Sequence, residues 1–109
     1  MSIEEVKNSD EFEEKIVEKS IDIPVLVDFW AEWCLPCKKL GPKIKEVSEE
    51  LEGKIDVVKA NIDEVPEKAE EYGVKSIPNV KLLIDGEVTD GFAGVKSKQE
   101  IVEWVEERI

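Results

Sequence analysis

The chain of 109 residues has no histidine, a single arginine and only two cysteines. Each shortage excludes something. A closed zinc site needs about four Cys or His ligands. One chain with two cysteines and no histidine cannot supply it, although two chains sharing a zinc ion or an iron–sulfur cluster could. Two cysteines do not make a disulfide framework, and a domain of this length can bury a core without one. No apolar run approaches the roughly 20 residues that span a bilayer. The opening Met1-Ser2-Ile3-Glu4-Glu5 lacks the basic and apolar character of an export signal. The expected location is therefore the cytoplasm.

Positive charge is also scarce. Fifteen basic side chains face 27 acidic ones, a net charge of −12. Such a surface repels phosphates and anionic lipids, so neither nucleic acid nor a membrane surface is an expected partner. Its plain role is solubility. No linker, internal repeat or low-complexity segment interrupts the chain, which reads as one domain over residues 1–109.

The two cysteines stand three positions apart in Phe29-Trp30-Ala31-Glu32-Trp33-Cys34-Leu35-Pro36-Cys37-Lys38. The run before them, Val25 to Trp30, is β-branched and aromatic as a buried strand would be. A helical pattern follows, with Leu40, Ile44, Val47 and Leu51 spaced by four, three and four. The pair thus falls where a strand hands over to a helix. The first helical turn offers unpaired N–H groups and the positive end of a dipole. A thiol there ionises more readily, and the thiolate is the reactive form. Cys34 is the expected nucleophile, and Cys37, one turn on, can reach it. In the cytosol such a pair reads as redox or metal chemistry.

The remaining pattern gives an α/β order. An opening strand over Ile3 to Val6 precedes a helix over 9–20, capped by Asn8 or Ser9, with Glu11 as capping-box partner of Asn8. A strand over 24–30 leads to a helix over 34–51, in which Pro42 should produce a kink. Gly53 suits a left-handed cap. A strand over 55–60, a turn and a short helix over 66–72 follow. Asp85-Gly86 marks a hairpin between strands over 80–84 and 87–90, and Gly91 and Gly94 fit a bend or bulge. Ser97 to Glu100 reads as a capping box for a last helix, whose apolar face takes Ile101, Val102, Trp104, Val105 and Ile109. Parallel pairing at the front and a hairpin at the end imply a mixed sheet of four to five strands, with four helices on both faces.

Val27-Asp28-Phe29-Trp30-Ala31-Glu32-Trp33-Cys34 with Pro36, Cys37, Lys38 and Pro42 closely resembles the active-site stretch of thioredoxins. Val58-Lys59-Ala60-Asn61-Ile62-Asp63 is similar to the family's third strand, and Tyr72 to Pro78 to the segment that ends in its cis-proline. Two positions depart from the family: Leu35 replaces the usual glycine and Asn79 the usual threonine. The resemblance implies a thioredoxin fold and a protein-disulfide reductase that works through a reversible Cys34–Cys37 disulfide, with no cofactor. Cys37 would resolve the mixed disulfide formed by Cys34.

Asp28 lies mid-strand among apolar residues, so burial should raise its pKa. The resemblance assigns it proton exchange with Cys37. Lys59, similarly placed in the next strand, is either a partner that tunes Asp28 or a plain surface lysine. The resemblance also implies a cis Ile77–Pro78 bond. Trp33, Ile77, Pro78, Gly94 and Val95 would then form the rim that docks substrates, while Leu35 and Pro36 tune the pair. Disulfide-containing proteins are the expected substrates of a monomer recharged by thioredoxin reductase or a ferredoxin-linked reductase. Competing readings are a thioredoxin-fold binding or chaperone module without turnover, a more oxidising isomerase or oxidase, and a pair of inert core thiols. The intact pair together with Asp28 and Pro78 disfavours a pure scaffold, which needs none of these four. The missing export signal disfavours the oxidase.

Overall fold

Strand β2 (Val25–Trp30) occupies the middle of a five-stranded sheet whose order is β1-β3-β2-β4-β5. The structure is a computed structural model and describes residues 3–109. Met1 and Ser2, the start of the stretch set against an export signal, lie outside the described residues. β1 (Glu4–Val6) and β3 (Asp56–Asn61) run parallel to β2, whereas β4 (Asn79–Ile84) runs antiparallel to it and pairs with β5 (Glu87–Ala93). This is the expected mixed sheet.

Helices cover both faces. On one, Leu26, Val57, Val80 and Leu82 meet Leu40, Ile44 and Val47 of α3 (Leu35–Glu50) and Ile101 and Val105 of α5 (Lys98–Glu106). Each such buried aliphatic side chain contributes roughly 1.5–3 kcal/mol. On the other, Val27, Phe29, Val58 and Leu83 lie with Phe12, Ile16 and Val65. Phe12 ends α1 (Ser9–Phe12), and Val65 precedes α4 (Pro66–Glu71). The alternation of apolar residues along β2 thus feeds two cores, which explains why the strand reads as a continuous apolar run.

Several expectations need correction. The first helix continues beyond residue 20. It passes from α1 through a π-helical stretch (Glu13–Glu18) into α2 (Lys19–Asp22). Ser20 holds its end, donating to the Val17 carbonyl at 2.6 Å and accepting from the Gly86 N–H at 2.8 Å. Lys68 is buried against this helix, 2.8 Å from Glu13 and 3.1 Å from Glu71, a burial that no local pattern announces. The bulge lies between Leu82 and Leu83, where Thr89 is skipped in the β4–β5 register, and not at Gly91. β5 runs on to Ala93. Gly91 is required for space: a Cβ there would stand 2.8 Å from Lys81 Cδ and 2.9 Å from the Val80 carbonyl oxygen. Ile109 lies past the end of α5 and is exposed, while Trp104 is half-buried edge-to-face against Phe92.

The local signals hold elsewhere. Asp85 and Gly86 both adopt positive φ, 54° and 84°, as a tight hairpin turn requires. Ser97 and Glu100 form the reciprocal capping box.

Candidate active site

β2 ends at Trp30 and α3 begins at Leu35, so four residues make the turn between them. Cys34 is the N-cap of α3, with extended backbone, so the helix starts at Leu35, one residue later than the sequence pattern suggests. Its backbone N–H donates to the Ala31 carbonyl at 3.1 Å, which closes the turn. The Cys37 backbone N–H points at Cys34 Sγ at 3.2 Å. An N–H aimed at sulfur stabilises negative charge there, the role side-chain oxygens play at other helix starts. The two cysteines are joined in a disulfide, their Cα atoms 5.3 Å apart.

The disulfide is recessed. Cys34 is 4% exposed, yet its neighbours Trp33 and Leu35 are 66% and 72% exposed. Two large apolar side chains therefore stand proud of a sunken sulfur. Trp33 is fixed by its indole N–H, which donates to Asp63 at 2.9 Å, and Asp63 in turn donates its backbone N–H to the Asn61 side chain at 2.8 Å. This support was not singled out in the sequence. Its only signal is the Asn61–Asp63 turn.

Ile77 packs against the cysteine pair, and the Ile77–Pro78 peptide is cis, as the resemblance implies. The Pro78 carbonyl accepts from the Gly94 N–H at 2.9 Å, which brings the end of β5 beside the cis turn. Gly94 has φ of 89°, a conformation that side-chain-bearing residues rarely adopt, and Val95 next to it is exposed. Trp33 and Leu35 flank Cys34 in the chain, and Val95 follows the residue bonded to the cis turn. Asn79 is buried, donates weakly to the Ser76 carbonyl at 3.4 Å, and its side-chain Oδ1 has no hydrogen-bond partner among the described residues.

Asp28 is 1% exposed, and neither carboxyl oxygen has a hydrogen-bond partner among the described residues. Burial pushes its pKa up from 3.8 to about 6; Lys59 pulls it down and Glu5 pushes it further up. A solvent-facing position for Asp28 is thereby excluded. Lys59 is its register partner on β3, but the ammonium makes no ion pair with it and stands 4.1 Å over the Trp30 ring. Trp30, Cys37, Lys38, Pro42 and Lys59 line a pocket of about 540 Å³. A second pocket of about 570 Å³, lined by Lys15, Lys19, Glu52 and Asp56 among others, shares no residue with it. No helix among the described residues is long and apolar enough to cross a membrane.

A close cysteine pair at a helix start, in a chain that also buries a carboxyl at elevated pKa on the strand leading to it, can carry thiol–disulfide exchange. The chain matches the sequence profile of the family described as Thioredoxin over residues 3–107. It is similar to the thioredoxin of Rickettsia bellii, 49% identical over 98 residues that cover 90% of this chain and 91% of that protein. Thioredoxin 1 of Nostoc sp. is 42% identical and covers 81% of this chain, with 82% of its own length matched. The thioredoxin of Synechocystis sp. is 40% identical and covers 87% of each chain. The chain belongs to the thioredoxin family, a thiol–disulfide oxidoreductase that reduces protein disulfides through its Cys34–Cys37 pair.

Proposed function

We propose that Cys34 is the attacking sulfur, Cys37 the resolving one and Asp28 the proton acceptor for Cys37. In the reduced protein the Cys34 thiolate attacks one sulfur of a substrate disulfide. A mixed disulfide forms and the other substrate sulfur leaves as a thiolate. Cys37 loses its proton to Asp28 and attacks Cys34 Sγ, and the second substrate sulfur leaves. Two electrons pass to the substrate, and the Cys34–Cys37 disulfide remains. The observation that carries this order is the Cys37 N–H directed at Cys34 Sγ at 3.2 Å. It singles out Cys34 as the sulfur whose anion the backbone stabilises.

Lys59 tunes Asp28 from the next strand. Trp33, Ile77, Pro78, Gly94 and Val95 form the docking rim, on which an extended substrate segment pairs with the backbone beside the cis-proline. Pro36 stiffens the first helical turn, and Leu35 extends the apolar rim where the family usually has glycine. A monomer in the cytoplasm, carrying electrons from a flavoprotein thioredoxin reductase or a ferredoxin-linked one to protein disulfides, fits the acidic charge and the solitary cysteine pair.

The test is reduction of insulin with dithiothreitol, followed by turbidity. Wild type accelerates precipitation, and Cys34→Ser returns it to the uncatalysed rate. Equal rates for the two proteins would overturn the assignment. A binding module without turnover predicts that equality.

A further inference from the structure

Three adjacent strands carry Glu5, Lys59 and Asp28 in one register line, Glu5 paired with Lys59 on β3 and Lys59 with Asp28 on β2. Paired residues of neighbouring strands project to the same face. The next line along, Val6, Ala60 and Phe29, belongs to the core beneath α1. The charged line therefore lies on the face that α3 and α5 cover. It runs acid, base, acid from the sheet edge to its centre. At roughly 4.8 Å per strand, Glu5 and Asp28 are about 10 Å apart at the backbone. Glu5 and Lys59 are half-buried and Asp28 is fully buried.

We propose that Glu5 is a positioning residue for the redox reaction: from the edge strand its charge offsets that of Lys59, and it thereby sets the pH range in which Asp28 accepts the resolving thiol's proton. This rests on Asp28 being that acceptor. Among the described residues, Lys59 and Glu5 are the charged groups that act on Asp28. β4 presents Val80 in register with it, and α5 contributes Ile101, Val102 and Val105 to the same core. From α3, Cys37, Lys38 and Lys45 line the pocket shared with Lys59, and Lys38 is engaged with Glu32 at 3.8 Å. Among the described residues, Glu5 is thus the acid set against Lys59 in this register line. The direction matches the electrostatics, in which burial dominates, Lys59 lowers the pKa of Asp28 and Glu5 raises it.

The experiment is a carboxyl-carbon NMR titration of Asp28 in wild type and Glu5→Gln, together with the acidic limb of the pH profile for insulin reduction. Without the Glu5 charge, Lys59 acts unopposed. The Asp28 midpoint should fall by about half a unit, the size expected for charges about 10 Å apart at intermediate dielectric. The acidic limb should move to lower pH by the same amount. A midpoint within about 0.1 unit of wild type would overturn the proposal. Asp28→Asn separates the two layers. If it abolishes the acidic limb while Glu5→Gln moves nothing, the role of Glu5 falls alone. If it leaves the limb in place, Asp28 is not the acceptor and both fall.

Discussion

Asp28 and Lys59 sit opposite each other on parallel strands, yet the lysine ammonium leans over the Trp30 ring at 4.1 Å and leaves the carboxyl without a hydrogen-bond partner among the described residues. An unpaired buried carboxyl is costly to ionise. Its pKa is near 6 in the folded protein and 3.8 as the reference for the unfolded chain. Between those values the folded state holds a proton that the unfolded state releases. Stability therefore falls as pH rises from about 4 to 6, by up to ~3 kcal/mol, and stays lower above that range. Asp28→Asn should raise stability at pH 8 by about 1–3 kcal/mol and give little gain near pH 3.5. Urea unfolding at the two pH values measures this; an equal effect at both would contradict it.

Cys37→Ser should stop turnover after the first step. The variant should accumulate a mixed disulfide between Cys34 and a substrate chain, visible by mass spectrometry and cleaved by dithiothreitol. Its insulin-reducing rate should drop at least about 100-fold, as expected when one member of a unit that acts together is lost. Efficient turnover by this variant would remove Cys37 from the resolving role.

Leu35 is 72% exposed beside a recessed sulfur. Covering part of that side chain on docking is worth about 1 kcal/mol at ~25 cal/mol per Å². Leu35→Gly should raise KM about five-fold for disulfide peptides with apolar residues beside the cysteine, and much less for peptides with charged ones. Equal changes for both peptide classes would show that the side chain acts on the sulfur chemistry and not on docking.

Gly91→Ala should destabilise the fold by about 1–3 kcal/mol, because the added methyl meets Lys81 and the Val80 carbonyl at under 3 Å. Thermal unfolding measures the loss. Lys81→Ala in the same chain should relieve only the side-chain part of it, since the carbonyl contact remains.

What was legible in the sequence was local. Cys34 and Cys37 announce their position because a strand pattern ends and a helix pattern begins around them. Asp85-Gly86 and Ser97 to Glu100 carry their geometry in adjacent residues, and the burial of Asp28 follows from the apolar residues on either side of it. The rest depends on partners far along the chain. Lys68 is buried because Glu13, 55 residues away, receives it. The bulge at Thr89 reflects how β5 must pair with β4, and Glu5 matters only because β1 and β3 lie side by side. Asp63 looks like a turn residue until the fold sets it under Trp33, 30 residues earlier.

The central claim is that the backbone at the start of α3 stabilises a thiolate on Cys34. Its most direct test is the rate of alkylation of Cys34 by iodoacetamide in the reduced protein as a function of pH, followed peptide by peptide with mass spectrometry. The account predicts a midpoint below about 7.5, at least a unit under the value of about 8.5 for a free cysteine. A midpoint at or above about 8.5 would contradict it.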